Sequence, residues 1–255
     1  MLKPPVEAVL INWKRPENVV AIVDALARQS VPCTITLCDC HPEPRFALPP
    51  EALRNVDRVY RLTHNLGAYS RYVPCAGYDH EYTYLADDDM VPGERCLEHF
   101  LDHARWGKFG VLGQNGRRMR PDGVYRTARV KRTRAYEEVD LVVRAYFAQT
   151  RNLSRIAEMR WDLGLQGQEH VEDDILLAVA MQLKAGLGCY LTPRSSDPET
   201  SIVRESLPSP FALSKRDDHR ARRTDLFRRA GLMGWRPYSS RCGPAILRTL
   251  RGLTG

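Results

Sequence analysis

The sequence predicts an α/β fold, a wound mixed sheet flanked by helices. Two observations carry this. Through the first 113 residues, short apolar runs alternate with stretches of helical periodicity in the order strand, helix, strand, strand, helix, strand. In addition, Asn12, Asp39, Asn65 and Asp87 each lie just past a predicted strand end. A wound sheet binds its ligands at that edge.

Residues 6–11 are continuously apolar apart from Glu7 and form the first strand. Asn12, Trp13, Lys14 and Arg15 make a loop, and Pro16 favours the mouth of a helix. Residues 17–29 repeat Val20, Ile22, Val23 and Leu26 at helical spacing. A strand over 34–38 ends at Asp39, a proline-rich loop covers 41–50, and a short strand covers 56–62. Asn65, Leu66 and Gly67 turn into a helix predicted over 68–80. The aromatic-rich strand 82–86 follows, then a helix over 92–104 and a strand over 111–113. Beyond this the periodicity blurs. Residues 116–136 are basic and turn-rich, a hairpin or a mobile loop, and 140–150 is a strand. A loop over 161–167, a helix over 171–185, a strand at 190–192 and a basic helical tail beyond 206 complete the chain.

A chain of 255 residues fits one large domain or two small ones. Hydrophobic residues at 43% and charged residues at 27% are ordinary for a soluble globular protein. No apolar run is long enough for a transmembrane helix, and the N-terminus lacks a signal-peptide layout, so the expected location is the cytoplasm, or a host cytoplasm. Seven cysteines, an odd number at irregular spacing, argue against a disulfide framework. Cys38, Cys40 and His41 invite a zinc reading, but no second Cys/His pair follows, so buried thiols are the better reading.

Three consecutive carboxylates, Asp87, Asp88 and Asp89, follow the strand 82–86. Three anions at one strand end repel one another unless a cation sits among them. Oxygen-only donors suit Mg²⁺ or Mn²⁺, which characteristically bridge carboxylates to nucleotide phosphates. The bland alternative is a solvated acidic turn. Glu172, Asp173 and Asp174 form a second acidic cluster, for which stabilisation by a helix dipole is a sufficient structural reason. The net charge is +7 and arginines far outnumber lysines. Basic residues crowd 117–134, with Arg129, Lys131 and Arg132 among them, and crowd 215–229, where acids are interspersed. Such clusters fit a polyanionic partner such as DNA, or simply a solvated face.

Asn65 through Arg71, then Ala76 and Gly77, then Tyr84 through Asp89 resemble the core of GT-A fold glycosyltransferases, especially the family-2 group. Glu172 and Asp173 resemble that group's later acidic pair, and residues 10–18 resemble its first nucleotide-side loop, with exostosin-like features. The resemblance covers about residues 6–190 and implies a metal-dependent transferase using a nucleotide-sugar donor, with UDP the usual nucleotide. It implies a donor site formed by Asn12, Arg15, Asp39, Asn65, Gly67, Arg71, Asp87 and Asp88, with Asp39 at the nucleobase. It implies Asp89 and Asp87 at a divalent metal, Mn²⁺ or Mg²⁺, with His219 (or His170) as a further ligand. Asp173 would be the general base, with Glu172 competing, and inversion is favoured. Lys14 and Arg15 would face the leaving diphosphate or the surface.

On this reading residues 1–205 form the transferase domain, with a nucleotide-sugar half of about 1–112 and an acceptor half of 113–205. Residues 206–255 are a basic helical extension. The acceptor would be a saccharide or a hydroxymethylated DNA base, as in the phage-type DNA-base glycosyltransferases, with Arg129, Lys131 and Arg132 on the acceptor side. The competing classes are a nucleotidyltransferase, which ordinarily carries a glycine-rich phosphate loop absent here, and a non-enzymatic nucleic-acid-binding module, which leaves the Asp triplet unexplained.

Overall fold

The structure, a computed structural model, describes residues 5–40, 43–64, 66–120, 122, 124–167, 172–208 and 217–241. Its centre is an eight-stranded mixed sheet, with strands in the order Arg58–Arg61, Cys33–Asp39, Val6–Asn12, Tyr82–Ala86, Tyr146–Gln149, Val111–Gly113, Cys189–Leu191 and Glu137–Val139. Strands β1 (Val6–Asn12), β2 (Cys33–Asp39), β3 (Arg58–Arg61) and β4 (Tyr82–Ala86) are mutually parallel. The two-residue β5 (Met90–Val91) follows the triplet. Strand β6 (Val111–Gly113) runs parallel to β12 (Cys189–Leu191), and β11 (Tyr146–Gln149) is antiparallel to both β4 and β6. β7 (Gly116–Met119), β8 (Thr127–Val130) and β10 (Leu141–Val142) form a small second sheet. β9 (Glu137–Val139) edges the main sheet, and β13 (Glu205–Ser206) pairs antiparallel with β5.

Alternation along β1 shows how the sheet is clothed. Ala8 and Leu10 join one core with α1 (Pro16–Ala27) and α2 (Cys96–Ala104). Val9 and Ile11 join the other, with α3 (Ser154–Asp162), α4 (Asp173–Ala180) and α5 (His219–Leu232). The last helix is the four-residue α6 (Tyr238–Arg241). Because both faces are covered, β1 is buried at all seven positions, including Glu7. Glu7 sits at the opposite end of β1 from Asn12 and accepts hydrogen bonds from Thr36 Oγ1 (2.6 Å) and Arg58 Nη1 (3.1 Å), with His80 Nδ1 3.0 Å away.

Several elements differ from the sequence reading, each for a local reason. The helix predicted over 68–80 is a 3₁₀ segment, Gly67–Gly77, containing Pro74, which removes a backbone donor and blocks regular α-helix. The helix predicted from 92 begins at Cys96. Gly93 first passes so close to Glu199 that a Cβ would lie 2.4 Å from its carbonyl oxygen. The strand predicted over 140–150 is broken into β10 and β11 by Arg144, which has a left-handed φ of 78°. Helix α3 replaces part of the expected loop at 161–167. Within 116–136 the hairpin option is the one taken, Gly116–Met119 pairing antiparallel with Thr127–Val130 as β7 and β8. The segment read as a tail contributes α5, whose Leu226, Phe227 and Ala230 are buried in the core shared with α4. Cys38 and Cys40 are buried thiols, as preferred over zinc ligands, while His41 lies outside the described residues.

Candidate active site

The parallel strands deliver their carboxyl ends to one edge of the sheet. At the end of β1, Asn12 is fully buried and donates from Nδ2 to Asp39 Oδ1 (2.9 Å) at the end of β2, and to the Phe46 carbonyl (3.1 Å). In the next loop Arg15, only 6% exposed, lies 2.8 Å from Asp88 Oδ1 and 3.4 Å from Asp89 Oδ2. Arg15 is therefore no surface residue; its charge is directed onto the triplet. Asn18, on α1, donates to the Asp88 carbonyl at 2.8 Å and ties the triplet's backbone to the helix. Sequence reading did not single out Asn18, although its place one turn into a helix beside the loop was a usable signal.

The three aspartates do not share one environment. Asp88 turns inward: its side chain is 8% exposed, and Oδ2 accepts from the Trp13 amide at 3.4 Å. Burial raises its pKa to about 6 despite the Arg15 charge. Asp87 and Asp89, on either side, keep 31% and 32% side-chain exposure. Strand β4 ends at Ala86, and the turn at Asp88 and Asp89 directs the three side chains differently. Asp88 thus anchors the loop, while Asp87 and Asp89 are the two carboxylates that remain accessible.

Arg71 links this edge to the second acidic cluster. It is 2% exposed, and its Nη2 donates to Asp87 Oδ1 at 2.7 Å. Its Nε lies 3.3 Å from Asp173 Oδ2, and its guanidinium stacks on Tyr146, 5.3 Å from the ring centroid. The short 3₁₀ segment aims it there, entered through Gly67 at a left-handed φ of 58°. Asn65 lies outside the described residues.

The cluster 172–174 is divided by Arg223 on α5. Arg223 Nη1 donates to Glu172 Oε2 at 2.7 Å, and its Nη2 makes a short bond to Asp174 Oδ2. Tyr125 stacks beneath this guanidinium, 4.3 Å from Arg223 to the ring centroid. Glu172 and Asp174 are therefore neutralised from the far side. Asp173, first residue of α4, faces Arg71 instead, and its Oδ2 accepts no hydrogen bond. Burial is the main cause raising the Asp173 pKa to about 7, opposed by Arg71 and reinforced by Asp174, Asp87 and Glu172. Arg223 and Tyr146 were missed in the sequence because their partners are remote in the chain.

The remaining predicted residues fall elsewhere. His219 opens α5, its ring edge-on to Tyr125 with centroids 6.1 Å apart, and its Nδ1 is buried without a hydrogen-bond partner. His170 lies outside the described residues. Lys14 Nζ sits 4.9 Å from the Trp13 ring centroid. Arg129 and Lys131 are exposed, but Arg132 is not a free surface cation. Its Nε donates to the Thr192 carbonyl (2.9 Å) and its Nη2 to the Pro193 carbonyl (2.7 Å), pinning the end of β12.

The site's charge fits a divalent cation. Asp87, Asp88, Asp89 and Asp173 offer four negative charges when ionised, against two from Arg15 and Arg71. A dication would close that deficit, and hard oxygen donors match Mg²⁺ or Mn²⁺. Among the described residues, the one acid/histidine trio at metal-ligand spacing is Glu7, Asp79 and His80. That trio lies at the other end of the strands, with Arg58 already on Glu7.

No family model and no curated protein sequence matches this chain. Solved structures do. The mannosyltransferase PcManGT from Pyrobaculum calidifontis, in complex with GDP-Man and Mn²⁺, superposes with a TM-score of 0.61 at 15% identity, covering 93% of this chain and 67% of that one. S. aureus TarS superposes at 0.51 and 15% identity, covering 76% of this chain and 37% of TarS. TarS 1-349 in complex with UDP-GlcNAc gives 0.50 at 14%, covering 82% and 62%. The chain has a GT-A glycosyltransferase fold. In this GT-A chain the predicted central sheet is present, with its mixed strand order and helices on both faces. No helix among the described residues is long and apolar enough to cross a membrane.

Proposed function

We propose that the protein is a divalent-metal-dependent glycosyltransferase that moves a sugar from a nucleotide-diphosphate donor, preferentially UDP-linked, to an acceptor hydroxyl. The observation that carries this reading is Arg71, one buried guanidinium in contact with both Asp87 and Asp173. It brings the half-exposed carboxylates of the sheet edge and the one acid of the α4 cluster free of Arg223 into a single site. The superposed structures named for GDP-Man with Mn²⁺ and for UDP-GlcNAc support a donor of this class.

In this reading Asp89 and Asp87 hold the metal; with His219 they form no trio at metal-ligand spacing. The metal would neutralise charge gathering on the departing diphosphate. Asp39, Asn12 and Gly67 would frame the nucleoside, with Asn65 beside them. Asp88 and Arg15 hold the loop in shape. Asp173 takes the acceptor's proton as the acceptor oxygen bonds to the anomeric carbon, the bond from that carbon to the diphosphate breaks, and the nucleoside diphosphate leaves with the electron pair. Attack opposite the leaving group makes the transfer inverting. The acceptor hydroxyl would belong to a saccharide or to a hydroxymethylated DNA base.

The test is thermal stabilisation by UDP with Mn²⁺, compared with GDP with Mn²⁺ and with DNA alone. Ligand bound only to the native state raises the melting temperature. No shift with either nucleotide and metal would reject the reading. Asp89→Asn is expected to lower Mn²⁺-dependent turnover at least about a hundredfold. Because Asp89 is a third exposed and held only at 3.4 Å by Arg15, the metal-free melting temperature should stay within about 2 °C of wild type. Wild-type turnover by this variant would remove Asp89 from the metal site.

A further inference from the structure

The strongest unassigned feature is a cavity of about 690 Å³ between the small sheet, the end of β6 and the strap 201–203. Six cations line it: Arg117, Arg129, Lys131, Arg132, Arg144 and Arg194. Its lining contains no carboxylate and no aromatic ring. Arg132 is spent on backbone carbonyls, but the other five make no side-chain hydrogen bond or ion pair among the described residues. Such a concentration of unpaired charge is unfavourable without an anion. Burial first, and the neighbouring Arg194 charge after it, lowers the Arg132 pKa to about 10.

The cavity is next to the candidate site. Tyr146, the first residue of β11, pairs in antiparallel register with Leu85 near the end of β4, so Arg144, just before β11, and Asp87, just after β4, lie at the same edge of the sheet. Arg144 is also the one non-glycine residue with left-handed φ among the described residues. Strain of that kind persists where surrounding structure enforces it, and it gathers at binding sites. The strap continues the connection: Ile202 and Val203 line the cavity, while the Leu207 amide donates to the Asp89 carbonyl at 2.9 Å. The cavity therefore lies on the β6 and β11 side of Asp87, away from Asn12 and Asp39.

We propose that this cleft binds the phosphate groups of the acceptor, and that the acceptor is a phosphate-bearing sugar or polyol without an aromatic base. The proposal rests on the glycosyltransferase reading for the word acceptor alone. Arginine forks suit phosphate oxygens, and several of them suit more than one phosphate. Single-stranded nucleic-acid sites add stacking platforms, which this lining lacks.

The experiment titrates wild-type protein with three labelled probes in 50 and 200 mM salt: an oligomeric glycerol phosphate, a single-stranded oligodeoxynucleotide of equal charge, and a neutral oligosaccharide. Arg129→Ser/Lys131→Ser is the test variant. Arg228→Glu, at an exposed position of α5, changes the net charge by the same two units and is the control. The glycerol phosphate should bind best, lose affinity with salt, and bind the double variant at least about tenfold more weakly, with Arg228→Glu close to wild type. Equal loss in the control, equal binding of the neutral probe, or preference for the oligonucleotide would overturn the proposal. Displacement of the glycerol phosphate by UDP with Mn²⁺ would overturn it as well, by making the cleft part of the donor site. Failure of both UDP and GDP with Mn²⁺ to bind wild type defeats the donor reading separately. Matched melting curves confirm that the double variant is folded.

Discussion

Arg71→Met is expected to destabilise the fold by about 3–5 kcal/mol, the usual result of removing one partner from a buried ionic cluster. Burial works against the Arg71 charge, while Asp173 and Asp87 hold it protonated. Methionine fills similar space but leaves the buried Asp173 and the part-exposed Asp87 without their cation. It also removes the Nε donor to the Ala68 carbonyl and the stacking on Tyr146. The measurement is urea unfolding of wild type and variant across pH. The deficit should be largest above pH 7 and shrink in acid, because protonated carboxylates no longer need the guanidinium. Arg71→Lys should recover part of the loss, since a point charge cannot fork towards two carboxylates. A deficit below about 1 kcal/mol at pH 8 would mean that solvent or a rearranged Arg15 screens these acids.

The edge that gathers the site was legible because strands write themselves in period two and end on polar residues. Strand β4 was read as 82–86 and spans Tyr82–Ala86. What the strand pattern could not supply was the partner of each acid. Repulsion among Asp87, Asp88 and Asp89 demanded a cation, and a metal was the natural answer. The structure also brings in Arg15 and Arg71, which the resemblance implied at the donor site but whose pairing with these acids no local pattern revealed. The register of Glu172, Asp173 and Asp174 was equally closed to sequence, because all three suit a helix N-terminus. Only Arg223, arriving from a helix about fifty residues later, separates them. Helix α3 escaped notice because its inward face is two residues, Ile156 and Met159. That spacing is too sparse to show as periodicity.

Asp173→Asn follows from the same separation and should lower turnover about 10²–10⁴-fold, the range for removal of a general base. Donor affinity should change far less, because the base acts on the acceptor. Wild-type turnover should rise with pH through about 7, as Asp173 loses its proton, and the variant should lack that limb. Stability should move the other way. The unfolded chain titrates this carboxyl near 3.8 and the folded chain near 7, so the native state holds the proton across that interval. Wild-type stability therefore falls as pH rises from about 4 to about 7, by on the order of 1–4 kcal/mol, and is level above. Asparagine cannot ionise and mimics the protonated form beside Arg71. The variant should then melt no lower than wild type at pH 5 and higher at pH 8. A variant that loses donor affinity and stability together would make Asp173 a strut for Arg71. If Glu172→Gln alone reproduced the kinetic defect with its pH limb removed, the base would be Glu172, and Arg223 would be its partner in the reaction.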